Sequence, residues 1–258
     1  MHNIFGCKKY INLIIKTSII DFKLKDQRSA LGFLWSFLNP LILSAVLFFL
    51  FHRRALLYTA NNYYEYILIG IITWNFFVKA SVAGLNSLIS CPEVLKNSIF
   101  PKEIIVFSSI GALTIQYLFE LLAAFIVIII AGIGFSVHII FLPLAILTEV
   151  LLIAGISLFL SCIAVYIRDS THVWNALLMA GFFAVPIFYD INTISPELRY
   201  LVIINPITQI IAFLRDILLY HRMPSLLNML YVLSLDLILV GCGYLFFRYN
   251  RYKIAEYA

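Results

Sequence analysis

Apolar residues run through this chain in long blocks, each ended by a short polar stretch. The first, Leu31–Phe51, carries no charge; at about 1.5 Å per helical residue it reaches roughly 31 Å, the thickness of a hydrocarbon core. Five more follow: Tyr66–Ser90, interrupted only by Lys79; Ile104–Ala131, containing Glu120; Ile139–Ile167, containing Glu149; Ser170–Tyr189, with Pro186 near its end; and Leu226–Phe247, containing Asp236. Six spans are therefore expected, the first kinked at Asn39-Pro40, where proline removes a backbone donor. Ahead of them, residues 5–28 have a different period. Ile11, Ile14, Ile15, Ser18, Ile19 and Phe22 recur at helical spacing opposite Lys9, Asn12, Lys16 and Lys23. This predicts an amphipathic helix lying in the membrane interface, or alternatively one that binds a soluble partner.

The polar stretches have their own grammar. Residues 91–103 hold Pro92 and Pro101 on either side of a mixed segment, which predicts a short helix within a loop. Gly132-Ile133-Gly134 predicts a tight turn. In 190–225 the apolar runs Leu201–Ile204 and Ile207–Leu214 are too short to span, and suit helices that enter the bilayer and return or lie along its surface. The expected organisation is a 1–30 interfacial helix followed by one membrane domain over 31–258.

Composition agrees. Hydrophobic residues make up 63% of the 258, charged residues 12%, and the mean hydropathy is +0.99, too apolar for one soluble core. The net charge of +5 is read as topology and contact with anionic lipid, not nucleic-acid binding. With both termini inside, the inner segments hold Lys8, Lys9, Lys16, Lys23, Lys25, Arg28, Lys96, Lys102, Arg168, Arg248, Arg251 and Lys253; the outer ones hold Arg53, Arg54, Arg199, Arg215 and Arg222. Twelve against five favours cytoplasmic termini. Lys8, Lys9 and Lys16 break the early apolar stretch, so no cleavable signal is expected. Cys7, Cys91, Cys162 and Cys242 form no CxxC and are expected to be reduced.

No glycine is followed by lysine, so the chain has no P-loop for a nucleotide phosphate, and neither HExxH nor GxSxG occurs. Catalysis, cofactor and metal binding are not expected. The chemical anomaly is the set of carboxylates Glu120, Glu149 and Asp236 inside apolar spans, each costing several kcal/mol unless paired, protonated or facing water. They read as a proton relay, a polar conduit wall or interhelical hydrogen bonds; no lysine or arginine is expected at their depth. Aromatic residues form 16% of the chain. Trp35, Tyr63, Tyr64, Tyr66, Trp74, Phe76, Phe77, Phe182, Phe183, Phe188 and Tyr189 gather at span ends and walls, as an interfacial belt or as a pathway on which sugar rings slide.

The order of these motifs resembles a known family. Leu24-Lys25-Asp26-Gln27-Arg28-Ser29-Ala30-Leu31-Gly32-Phe33-Leu34-Trp35 leading to Asn39-Pro40 is similar to the opening of the polysaccharide-export ABC transporter permeases. The resemblance continues through Trp74-Asn75-Phe76-Phe77, Leu95–Glu103, Arg168-Asp169, Pro186-Ile187-Phe188-Tyr189, Asn205-Pro206 and Phe213-Leu214-Arg215-Asp216, nearly end to end. Val185 departs from it, standing where the family usually has serine. The resemblance implies a permease for O-antigen, capsule or teichoic acid in the cytoplasmic (inner) membrane. It implies a homodimer that encloses a conduit for a lipid-linked polysaccharide, and two separate ATP-binding subunits that hold ATP and Mg. By position, Glu93, Lys96, Asn97, Phe100, Lys102 and Glu103 would couple to the ATPase, helped by Arg168 and Asp169. Lys23, Lys25 and Arg28 would meet lipid or pyrophosphate headgroups at the entrance. The rival expectation is a proton-coupled secondary transporter using Glu120, Glu149 and Asp236, for which inverted repeats would be typical; none is evident.

Overall fold

A computed structural model describes residues 2–25, 34–55, 62–91, 101–134, 136–167 and 169–256. Among these residues the fold is all helix, as a bilayer requires when no water is at hand to satisfy backbone groups. The helices are α1 (His2–Lys25), α2 (Leu34–Ala55), α3 (Tyr63–Asn86), α4 (Glu103–Ile130), α5 (Leu142–Tyr166, entered through the short turn Val137–Phe141), α6 (Ser170–Ala184), α7 (Pro196–Ile204), α8 (Pro206–Leu218) and α9 (Leu226–Glu256). Five of them, α2, α3, α4, α5 with its entry turn, and α9, are long and apolar enough to cross a membrane. The fifth apolar block, expected to be a span, gives only the short α6, which stops at Ala184 rather than Tyr189 because Pro186 cannot continue it. This helix is not among those long enough to cross alone. Its 15 residues reach roughly 22 Å.

The region expected to enter the bilayer partway contains the α7–α8 pair, bent by 86°. The break is written in Asn205-Pro206. The Asn205 side chain accepts from the Ile207 amide at 3.2 Å, and proline opens α8 without losing a needed donor. Gln209 Nε2 reaches back across the bend to the Ile203 carbonyl at 2.7 Å. Pro40 sits inside α2.

The centre of the bundle is α3, of whose spanning stretch 72% is buried. It touches α2, α4, α5, α6 and α8, while α9 lies along α5. Close approach of α3 and α5 depends on Gly84: a Cβ there would run into the Ser157 side chain. Gly84→Ala should therefore lower stability by about 1–3 kcal/mol through overpacking, read as a lower unfolding temperature in detergent micelles. An unchanged midpoint would show that the two helices are not in this contact.

The N-terminal helix divides its apolar face differently from expectation. Ser18 seats against Gly111 of α4, and Phe22 stacks on Phe119 at 6.1 Å between ring centroids. Ile11, Ile15 and Ile19 remain exposed, as do Lys9, Asn12, Lys16 and Lys23. A small side chain on a glycine permits closer packing than aliphatic branches would, so Ser18 governs which side of α1 meets the bundle.

Candidate functional site

One end of the bundle is held by an arginine. Arg215, near the end of α8, is only 4% exposed. Its guanidinium donates Nε and Nη2 to the Tyr66 carbonyl at 3.2 and 3.0 Å, Nη1 to Pro186 at 2.8 Å, and Nη2 to Ile187 at 2.8 Å. It also lies 3.3 Å from the centroid of the Tyr66 ring. Three pieces of chain meet there: the start of α3, the non-helical residues after α6, and α8. Chemistry explains the choice of residue. Helix termination before Pro186 leaves carbonyls pointing inward without intrahelical partners, and only a planar five-donor group can serve several of them at once. Tyrosines complete the clamp: Tyr63 Oη donates to the Phe188 carbonyl at 2.7 Å and Tyr66 Oη to the Tyr189 carbonyl at 3.0 Å. Gly70 gives the guanidinium room, since a Cβ there would approach Nη2 to 2.8 Å. Arg215, counted among outer charges by its place between blocks, is thus an internal clamp of the bundle, because its donors are consumed by buried carbonyls. Val185, the departure from the family pattern, is fully buried beside it and packs as an apolar residue.

A second polar constellation sits mid-bundle. Lys79 of α3 pairs with Glu120 of α4, Nζ to Oε1 at 3.0 Å, and Gln116 Nε2 donates to the same oxygen at 2.8 Å. Phe76, Leu113 and Tyr117 complete the recess around them. The expectation that no cation stands at the depth of the carboxylates is therefore corrected for Glu120, because the facing helices are staggered. Glu149 of α5 and Asp236 of α9 are fully buried, and neither carboxyl has a hydrogen bond among the described residues. Tyr117 is the polar neighbour of Glu149. The three acids stand on three different helices, in three different surroundings.

The aromatic candidates separate into two groups. Tyr63, Tyr66, Trp74, Phe76 and Phe77 are buried inside the chain. Phe76 stacks on Tyr117 at 4.3 Å, and Trp74 packs on Phe77 and Phe182. In this conformation those five rings belong to the packing between helices, and of them Phe76 borders the recess beside Lys79. Trp35 is exposed at the start of α2, Tyr64 is half-buried against Phe48, and Phe188 and Tyr189 are half-buried after α6. Phe188 stacks on Phe51 at 5.0 Å.

At the opposite end, Asn86 Oδ1 accepts from Thr171 Oγ1 at 3.0 Å, which ties the end of α3 to the start of α6. Asp169 is exposed just before α6, Lys102 is buried, and Glu103 opens α4 partly buried. Lys23 is exposed on α1, and Lys25 is the last residue of that helix. Glu93, Lys96, Asn97, Phe100, Arg28 and Arg168 lie outside the described residues. Burial raises the Asp21 carboxyl, and burial together with the Asp21 charge raises the Cys91 thiol, so α1 runs beside the connection that leaves α3.

Lys79 and Arg215 are the two residues whose importance the sequence left hidden. The signal was available in part: each is a long cationic side chain inside or next to an apolar block, where charge persists only with a partner.

The chain is 24% identical over 247 residues to an O-antigen export system permease protein RfbA from Klebsiella pneumoniae, covering 95% of this chain and 94% of that one. It is 24% identical over 250 residues to the protein of the same name from Myxococcus xanthus, covering 96% of each. The sequence profile of ABC-2 type transporters matches residues 18–219, from the inward side of α1 to the end of the Arg215 clamp. A multi-pass helical membrane chain matched over that length belongs to the ABC-2 type transporter family.

Proposed function

We propose that this chain is the membrane subunit of an ATP-driven exporter that moves a lipid-linked polysaccharide across the cytoplasmic membrane, with O-antigen as the leading class and capsule or teichoic acid as its relatives in chemistry. The observation that carries this reading is end-to-end similarity to chains named O-antigen export permeases. The chain lacks a P-loop, so hydrolysis falls to two ATP-binding subunits. A second copy of the chain completes the conduit, and both termini face the cytoplasm, following the excess of basic residues on that side.

Within this reading, residues 91–103 seat in the ATPase. Asp169 shares their side of the membrane, since the Asn86–Thr171 bond brings the start of α6 to the end of α3. Reversing Lys96 and Lys102 to glutamate should leave the chain in the membrane but reduce export to the level of cells lacking it, while ATP hydrolysis continues. Unchanged export in the double variant would remove the coupling assignment. For the function as a whole, depleting the chain should trap lipid-linked glycan on the cytoplasmic side, and purified chain should bring an ATPase with it.

The proton-coupled alternative requires its three acids to exchange protons in series. Glu120 is held by Lys79 and Gln116, and although Tyr117 lies between the surroundings of Glu120 and Glu149, Asp236 has no hydrogen bond among the described residues, so the series is not completed. Transport in vesicles containing this chain without any ATPase would favour that alternative instead.

A further inference from the structure

The half of α3 nearer Asn86 exposes one narrow face. From Trp74 to Ser87 the only residues not buried are Asn75, Val78, Lys79, Val82, Ala83 and Asn86. At about 100° per residue these occupy an arc of roughly 140°, and the polar three, Asn75, Lys79 and Asn86, fall within about 40° of one another. The other half of α3 has no such face, because Phe48 of α2 packs over Tyr63 and Tyr64.

Two observations say what this face meets. The Lys79 side chain is 35% exposed although its partner Glu120 is 2% exposed, so the ion pair is anchored on its acid side while the lysine side chain reaches the open face of α3. Asn75, at the middle of α3, makes no hydrogen bond among the described residues. A half-exposed ion pair and an unpaired amide facing acyl chains would both be costly. A second copy packed on this face by two-fold symmetry would bring Lys79 toward its own image, a like-charge contact. Water and a hydroxyl-rich chain satisfy both groups, because the Lys79 ammonium, its charge balanced by Glu120, keeps N–H donors for hydroxyl oxygens.

We propose that Asn75, Lys79 and Asn86 form a wall of the translocation path, where they hold a passing glycan by hydrogen bonds. This rests on the export reading above. It places the cargo on a polar stripe of α3 and not on the buried rings of Tyr63, Tyr66, Trp74, Phe76 and Phe77.

The test uses the assembled transporter with the native cysteines replaced, carrying single cysteines at Asn75 and Val82, with Leu122 and Ile126 of α4 as apolar exposed controls. A membrane-impermeant thiosulfonate reacts with thiolate, which forms only in water. Asn75→Cys and Val82→Cys should be labelled, and Leu122→Cys and Ile126→Cys should stay unlabelled. Labelling at Asn75→Cys should be lost when hydrolysis is stalled in cells that make lipid-linked glycan, and kept in cells blocked at the first sugar-phosphate transfer. Unlabelled stripe positions, a disulfide between two copies through Asn75→Cys, or labelling indifferent to glycan would each overturn the proposal. If depletion of the chain leaves export intact, the export reading falls whatever the labels show. If export stops but Asn75→Cys stays unlabelled, only the path assignment falls.

Discussion

Arg215→Ala should lose both stability and transport. The substitution removes four hydrogen bonds and a ring contact; among the described residues it leaves the buried Ile187 carbonyl without a donor and the Pro186 carbonyl with only the Tyr66 hydroxyl at 3.5 Å. Each unsatisfied buried acceptor costs about 1–3 kcal/mol, and with the lost packing the total comes to about 3–5 kcal/mol. Arg215→Lys should rescue little, because an ammonium is a point donor and cannot reach carbonyls on two different segments while lying over the Tyr66 ring. Gly70→Ala should weaken the same clamp from the other side by crowding Nη2. The measurement is the unfolding midpoint of each variant in micelles beside export in cells. A wild-type midpoint for Arg215→Ala would refute the clamp, since among the described residues the Pro186 carbonyl keeps only the long 3.5 Å bond from the Tyr66 hydroxyl and the Ile187 carbonyl keeps no donor.

That residue also marks where sequence reading stopped. The long apolar blocks were legible because a bilayer demands about 20 apolar residues per crossing and forbids unpaired backbone, so α2, α3, α4, α5 and α9 follow from block length alone. Asn205-Pro206 was legible too, as local chemistry that breaks a helix. Arg215 was not. Charge counting assigns an arginine between apolar blocks to the outer surface, and only the fold reveals that the interruption of α6 at Pro186 frees inward carbonyls for it to satisfy. The pairing of Lys79 with Glu120 was hidden by stagger. Counted from the ends joined by residues 87–102, Lys79 lies about 10 Å up α3 and Glu120 about 25 Å up α4, so linear depth sets them apart. The aromatic candidates were read by type, and type does not tell a ring facing a path from one facing another helix. Neighbours decide that, as Tyr117 does for Phe76.

The Lys79–Glu120 pair should respond asymmetrically to truncation, which sets it apart from an ordinary surface ion pair. Lys79→Ala leaves Glu120, 2% exposed, with Gln116 as its hydrogen-bonding partner, and an orphaned buried charge of this kind costs about 3–5 kcal/mol. Glu120→Ala leaves an ammonium whose stem already opens toward the accessible arc of α3, so the head can swing to water at a cost of about 1 kcal/mol. The double variant removes both charges and should be more stable than Lys79→Ala alone, with a coupling energy of about 0.5–3 kcal/mol in the cycle. Unfolding midpoints of the four proteins in micelles measure it. Equal losses for the two single variants would mean that the ammonium has no water to swing into, and the accessible face of α3 would then have to be packed against protein or lipid.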